Sequence, residues 1–151
     1  MMTKFQTITL ALLSFASISF AQAGDYLTSF EDGKAKAQKE KKSLLVKFTG
    51  SDWCPPCKLL QDEVFSKEDF KSEIEKDFVV VVLDFPRKKE LPEEEKKANA
   101  EVRDQYQVSG YPTVLLMDAQ GKVYKRTGYQ PGGVKPYLKM IKTSLKARRF
   151  R

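Results

Sequence analysis

The amino-acid sequence predicts an α/β fold in which a mixed sheet is flanked by helices on both faces. Three short apolar runs, at 43–48, 78–83 and 114–117, have the near-continuous hydrophobicity of strands buried on both sides. Segments with helical spacing alternate with these runs. A fourth segment, 122–126, alternates between apolar and polar residues, as a strand with one exposed face does. This order of elements is typical of an α/β domain.

The first half of the fold contains three predicted helical segments. Sparse apolar positions between 26 and 42 predict an amphipathic helix with a thin buried face. After the first strand, Pro55 and Pro56 suit the first turn of a second helix, where backbone N–H groups have no intrahelical partner. The four residues that begin at Ser66 resemble a capping box, which predicts a third helical segment to about Lys76.

The second half contains two further predicted helices and a hairpin. Residues 86–98 are rich in charge, and their Glu-to-Lys spacing supports a solvated helix that extends to about Tyr106. A turn at 118–121 joins the third strand to the alternating strand. A last helix at about 134–146 has apolar residues on one face. We find no internal repeat.

The N-terminal segment predicts a cleaved secretory signal peptide, residues 1–23. Lys4 supplies a positive charge, residues 8–20 form a mainly apolar stretch, and Ala21 and Ala23 are small residues suited to cleavage. The apolar stretch is shorter than the ~20 residues of a spanning helix, and an uncleaved anchor is the alternative. We therefore expect a periplasmic or otherwise exported protein, monomeric and without a stable membrane span. Its mature part, 24–151, has the size of one domain.

The charge balance does not indicate nucleic-acid binding. The formal net charge is +7 in a chain that is also rich in Asp and Glu, which predicts a mixed surface with a basic bias. The basic cluster at 146–151 could contact anionic lipid or nucleic acid, but such a cluster is more often a frayed tail. The sequence contains none of the nucleic-acid recognition modules, so we expect no nucleic-acid partner.

The numbers of cysteines and histidines limit the kinds of reactive or metal site that the chain can form. The two cysteines, Cys54 and Cys57, form one C-x-x-C motif, and the chain has no histidine. A zinc site needs a second pair of Cys or His ligands, and a Cys-His nucleophile needs a histidine. The motif therefore predicts redox chemistry without a metal or other cofactor. A metal site shared between molecules, or a copper-carrier role, stays open as an alternative.

The position of the motif at a helix start indicates a different role for each cysteine. Cys54 lies where free N–H groups and the positive end of the helix dipole lower a thiol pKa, so it is the predicted nucleophile. Cys57, one turn further in and less exposed, then attacks the mixed disulfide. Pro55 and Pro56 remove two N–H donors, which leaves deeper amides such as that of Cys57, and the charge of Lys58, to stabilise the thiolate. We expect a moderately lowered thiol pKa and a reduction potential closer to about −270 mV than to about −120 mV.

Two motifs resemble those of the thioredoxin family. They are Trp53-Cys54-Pro55-Pro56-Cys57-Lys58, after a buried strand, and Gly110-Tyr111-Pro112-Thr113, before another. The resemblance covers about residues 25–147, and among subfamilies the chain is similar to the exported single-domain, DsbH-like proteins. It implies a thioredoxin-like fold with a four- to five-stranded mixed sheet and the activity of a thiol-disulfide oxidoreductase.

The resemblance also assigns roles to three residues around the cysteines. It implies that Pro112 follows a cis peptide bond and faces the cysteines, that the backbone of Tyr111 is presented to the substrate, and that Trp53 borders the attacking sulfur. The alternatives are a trans turn residue at Pro112 and packing roles for the two aromatic residues.

One position departs from the family pattern. Members commonly hold a buried carboxylate on the strand before the motif, and the matching residue here is Lys47. An ammonium group there favours a thiolate, and it accepts a proton from a thiol only if burial lowers its own pKa. The alternative is that Lys47 reaches solvent past the sheet edge. Asp52 is the nearest replacement carboxylate, but its place beside Trp53 suggests a surface loop.

The expected activity is reduction of disulfides in client proteins of the cell envelope. An exported reductase needs an electron donor, and we expect an unidentified membrane protein in that role. The alternatives are a disulfide isomerase or oxidase, and a module that binds partners through the fold while its cysteines are idle.

Overall fold

The computed structural model describes residues 26–149, with the side chain of Arg149 excepted. The predicted signal peptide at 1–23 and the last two residues of the basic tail lie outside the described residues. The assignment of 24–151 to one mature domain stays a prediction. Among residues 26–149, none of the helices has the length and hydrophobicity needed to traverse a bilayer.

Four strands in the described part of the chain form one mixed sheet, in the order β2-β1-β3-β4. They are β1 (Ser43–Thr49), β2 (Phe78–Asp84), β3 (Thr113–Met117) and β4 (Val123–Thr127). β1 pairs in parallel with β2 and antiparallel with β3, and β3 pairs antiparallel with β4. The predicted four- to five-stranded mixed sheet is confirmed.

Helices cover both faces of the sheet, as the sequence predicts. One face packs against α1 (Phe30–Glu40) and α4 (Glu93–Gln105). The other packs against α2 (Pro55–Leu60), α3 (Glu68–Ile74) and α5 (Val134–Arg149). Each face has its own apolar core, so the sheet is buried on both sides.

The central strand β1 contributes to both cores. All seven of its residues are buried. Because successive side chains of a strand point to opposite faces, Leu44, Val46 and Phe48 join the core beneath α1 and α4. Leu45 joins the opposite core, under α2. Lys47 therefore lies on the α2 side of the sheet.

Two helix starts differ from the prediction. The first helix begins at Phe30 rather than at residue 26, and the predicted capping box at Ser66 is wrong. α2 continues into a π-helical turn, Gln61–Phe65, and the Ser66 hydroxyl donates backwards to the carbonyl of Asp62 at 3.2 Å. Lys67 is the N-cap of α3 and makes no side-chain cap bond. Ser66 thus terminates one helical segment instead of starting the next.

The approach of α1 to the sheet depends on Gly33. A methyl group at this position would collide with the side chain of Val81 on β2. Alanine gains about 1 kcal/mol of helix propensity over glycine, but overpacking a full core costs about 1–3 kcal/mol and displaces backbone. Because the overlap with Val81 is severe, the cost should lie in the upper part of this range. We therefore expect Gly33→Ala to lower the free energy of unfolding by about 1–2 kcal/mol net, measured by urea denaturation of the oxidised protein.

Gly110→Ala is the matched control, because a methyl group there has no neighbour within 4 Å. Its stability should stay close to that of the wild type. A Gly33→Ala variant as stable as Gly110→Ala would show that the close packing of α1 on β2 is not required.

Candidate active site

Cys54 and Cys57 lie just beyond the end of β1 and form a disulfide bond. Cys54 is the N-cap of α2, and Cys57 lies inside its first turn. The two Cα atoms are 5.2 Å apart, within the usual range for a disulfide. Cys54 is 3% exposed and Cys57 2% exposed. The expected difference in exposure between the two cysteines is therefore small in this oxidised form.

The backbone around the disulfide offers few donors to Cys54. The N–H groups of Cys57 and Lys58 both donate to the carbonyl oxygen of Cys54, at 3.1 Å. The amide of Cys57, which the sequence suggested as a donor to the Cys54 sulfur, is thus used by the helix itself. The sulfur that does accept an amide is Cys57 Sγ, 3.5 Å from the Gly50 nitrogen.

Trp53 is fixed at the rim of the disulfide by contacts on several sides. Its Nε1–H donates to the carbonyl of Phe85 at 2.8 Å. Its ring meets Tyr111 edge-to-face, with ring centroids 5.8 Å apart, and the Arg87 guanidinium lies 3.7 Å from the ring centroid. Gly50 permits this arrangement, because any Cβ at that position would collide with the indole.

The second motif lies at the same edge of the sheet as the cysteines. The peptide bond between Tyr111 and Pro112 is cis. Phe48 pairs with Thr113 in the antiparallel register, which places the start of β3 beside the end of β1. The contact between Tyr111 and Trp53 joins the two loops. The substrate roles of these residues stay predictions.

Lys47 is buried and does not reach solvent past the sheet edge. The residue is 2% exposed, its Nζ donates to Gln61 Oε1 at 2.6 Å, and Nζ lies 4.3 Å from the centroid of the Phe65 ring. Desolvation lowers the pKa of Lys47 to about 8, and the negative charge of Asp84 opposes this shift. A substantial fraction of Lys47 is therefore neutral at weakly alkaline pH.

Lys47 shares a cavity of about 450 Å³ with Cys57. Lys58, which is exposed at the surface of α2, lines the same cavity, and so do Gln61 and Asp84. An amine, a carboxylate and the second cysteine thus border one space beneath the disulfide. Of the two prolines in the motif, Pro55 is exposed and Pro56 is half-buried.

Asp84 is a site residue that the sequence analysis missed. Its carboxylate accepts hydrogen bonds from the Ser51 amide at 3.0 Å and from the Ser51 hydroxyl at 2.5 Å. The parallel register pairs Asp84 with Thr49, at the end of β1. The available signal was that Asp84 ends the apolar run 78–83, because neighbouring parallel strands present their carboxyl ends at one edge.

Asp52 has a structural role in the surface loop where the sequence placed it. Its carboxylate accepts backbone N–H bonds from Arg87 at 2.9 Å, Lys88 at 2.7 Å and Lys89 at 2.9 Å. These bonds, led by that of Arg87, lower the pKa of Asp52 to about 2. The group is therefore ionised throughout the physiological range and holds the loop that follows β2.

Comparison with known proteins agrees with this geometry. The family model of the thioredoxin-like domain matches residues 30–141. The chain is 36% identical over 120 residues to the disulfide bond reductase DsbH of Chlamydia pneumoniae, covering 80% of this chain and 72% of that protein. It is 27% identical over 120 residues to the thiol:disulfide interchange protein DsbD of Campylobacter jejuni strain RM1221, covering 78% of this chain but only 20% of DsbD.

Solved structures show the same relation. A structure named DsbH oxidoreductase superposes with a TM-score of 0.75 at 33% identity, covering 92% of this chain and 95% of that one. A thioredoxin from Thermus thermophilus shares the fold, with a TM-score of 0.61 at 20% identity, covering 80% of this chain and 86% of the other. The chain therefore belongs to the thioredoxin-like domain family, in which it is a thiol-disulfide oxidoreductase similar to DsbH, with Cys54 and Cys57 as its disulfide pair.

Proposed function

We propose that this protein is an exported reductase of client disulfides that works through a mixed disulfide on Cys54. The direction of electron flow, from this protein to the client, is inferred from the scarcity of amide donors at Cys54. Pro55 and Pro56 have no N–H, and the next two amides donate to the Cys54 carbonyl. A thiolate with little stabilisation makes the reduced form a stronger electron donor, which corresponds to a lower reduction potential.

The reaction consists of two exchanges. The Cys54 thiolate attacks one sulfur of the client disulfide, a bond forms between the two sulfurs, and the other client sulfur leaves as a thiolate. Cys57 then loses its proton, its thiolate attacks Cys54 Sγ, and the second client sulfur leaves. Two electrons pass to the client, and the Cys54–Cys57 disulfide is the product on this protein.

Each turnover requires that this disulfide be reduced again. The signal peptide predicted at residues 1–23 supports export from the reducing cytosol to a compartment that generally oxidises thiols. The proposed partners are therefore disulfide-containing envelope proteins on one side and a membrane electron donor on the other. The similarity to DsbD and to the disulfide bond reductase DsbH supports a place in such an exchange system.

The client disulfide reaches Cys54 over the surface formed by Trp53 and Tyr111. Both residues are half-buried and held in mutual contact, so they form a preformed platform beside the nucleophile. In this proposal Pro112, at the start of β3, faces the same surface and positions the backbone of Tyr111 against the client.

Lys47 is the proposed proton acceptor for Cys57. In its neutral form the amine takes the thiol proton across the cavity that both residues line, and the resulting ammonium ion stabilises the Cys57 thiolate. Its burial and the lowered pKa of about 8 support this role. The amine thus replaces the carboxylate that the family commonly places on this strand, with the same direction of proton transfer.

The reduction potential tests the direction of electron flow. The protein is equilibrated with glutathione or a reference dithiol, and the fluorescence of the single tryptophan, Trp53, reports the oxidised fraction. We expect a reduction potential closer to about −270 mV than to about −120 mV. A value below about −240 mV agrees with a reductase. A value above about −180 mV would instead make the protein an oxidase or isomerase.

Single cysteine variants test the mixed disulfide. Cys57→Ser should accumulate a covalent complex with a disulfide-containing peptide, because no second thiol releases the client, whereas Cys54→Ser should form none and lose activity. Non-reducing electrophoresis and mass spectrometry of the adduct measure both. Full function of Cys54→Ser would contradict catalysis and would favour a partner-binding module with idle cysteines.

Lys47→Met tests the proton acceptor, because Met keeps the length of the side chain and removes the amine. We expect release of the second client thiol in a single turnover to slow by at least about tenfold at pH 8. The wild-type rate of thiol release should rise through about pH 8, where Lys47 becomes neutral. The variant should lack the part of this rise that Lys47 causes. An unchanged pH profile would show that Lys47 has only a packing role.

The stability of the same variant provides a control on the pKa. The folded state of the wild type releases the Lys47 proton near pH 8 and the unfolded state near 10.5, so wild-type stability rises with pH between these values. The free energy of unfolding of Lys47→Met should therefore exceed that of the wild type by roughly 1–3 kcal/mol below pH 8. This difference should shrink towards pH 10.5. A pH-independent difference would mean that Lys47 has an ordinary pKa.

A further inference from the structure

A short basic segment lies beside the disulfide and takes no part in the reaction described above. It consists of Arg87, Lys88 and Lys89, here called the basic loop, and all three residues are exposed. The loop directly follows Phe85 and Pro86, at the carboxyl end of β2. The Arg87 guanidinium group lies on the ring of Trp53, the residue before Cys54.

The basic loop is held in place by the two residues that precede the nucleophile. The Asp52 carboxylate accepts the amides of all three loop residues, and Trp53 Nε1–H donates to the Phe85 carbonyl. A ligand that binds there meets a surface that is already ordered, which reduces the entropy cost of binding. The backbone is fixed while the side chains stay available.

Among the described residues, the positive charges of the loop have no ion-pair partner, although the Arg87 guanidinium contacts the Trp53 ring. Within residues 26–149, no carboxylate lies within 4.0 Å of the cationic groups of the three loop residues. The next acidic residue along the chain, Glu90, pairs with Lys96 at 2.9 Å. Glu95 borders the same cavity as Lys89, and Arg87 lies on the Trp53 ring. Within residues 26–149, Lys88 is therefore the loop residue whose charge has neither of these neighbours.

An aromatic platform adjoins the basic loop. Tyr111 packs against Phe85 with ring centroids 5.2 Å apart and against Trp53 at 5.8 Å, and all three are half-buried. The surface beside Cys54 thus combines an apolar floor with cations on one side that have no carboxylate within 4.0 Å among the described residues. This combination fits a polypeptide that has apolar residues next to its cysteine and carboxylates further along.

We infer that the basic loop is a docking site for acidic segments of client proteins, which selects disulfides flanked by Asp and Glu. The inference rests on the proposed function, because it assumes that a client sulfur reaches Cys54. Opposite charges on the two surfaces raise the encounter rate and orient the client, and salt screens both effects.

Two disulfide peptides that differ only in flanking residues, Glu in one and Lys in the other, test the inference. We expect the wild type to reduce the Glu peptide with a kcat/KM at least about tenfold higher at low ionic strength, and the preference should fall as salt is added. The variant Lys88→Glu, at the loop residue that borders neither the Lys47 cavity nor the Trp53 ring, should lose most of the preference. Its rate with a small uncharged disulfide should stay at the wild-type value.

The matched control is Lys39→Glu, which makes the same change in net charge at one exposed residue. Lys39 precedes β1, at the end of the strand opposite to the cysteines. The control should keep the preference for the Glu peptide. Equal loss of preference in both variants would show that net charge alone acts, and would overturn a local docking site.

The failure of the docking inference and the failure of the proposed function give different results. If the wild type does not reduce the small uncharged disulfide, the proposed reductase activity is wrong. If it reduces that compound and treats the two peptides alike, the activity stands and the docking inference is wrong.

Discussion

The pairing of β1 with a neighbour on each side determines where the chemistry takes place. β1 is hydrogen-bonded to β2 in parallel and to β3 antiparallel, and its residues are buried on both faces. The parallel partner brings the end of β2, with Asp84 and the loop behind it, to the edge where β1 ends. The antiparallel partner brings the start of β3, with Pro112, to the same edge. The cysteines follow β1 directly, so they meet both.

The burial of Lys47 follows from the same constraint. A central strand has no solvent edge, so a lysine that faces α2 must place its amine inside the protein. Its amine is accommodated by one amide oxygen, that of Gln61, and by the face of the Phe65 ring. These contacts do not replace the hydration of an ammonium ion, and the lowered pKa is the result. Burial of the ammonium form destabilises the fold, but the lowered pKa leaves part of the amine neutral and able to accept a proton.

Much of this architecture could be predicted from local patterns. The apolar runs at 43–48 and 78–83 are long and uninterrupted because both faces of those strands are covered, and the C-x-x-C motif with Pro55 and Pro56 marks a helix start. The failures have a physical reason too. Ser66 has the local signal of an N-cap, but α2 continues as a π-helical turn and uses the hydroxyl at its own end. The positions of Asp84, Gln61 and the basic loop depend on strand register and on contacts between distant residues, which no local pattern specifies.

The hydrogen bonds from three loop amides to Asp52 also link the binding of a partner at the basic loop to the oxidation state of the cysteine pair. Asp52 lies two positions before Cys54, and its carboxylate binds the backbone of the basic loop. The loop and the start of α2 therefore form one connected unit. By thermodynamic linkage, a partner that binds this unit more tightly in one oxidation state changes the equilibrium constant for reduction by the same factor by which reduction changes its affinity. Through that connection a docked partner would change the driving force for electron transfer, and electron transfer would in turn change how tightly the partner binds.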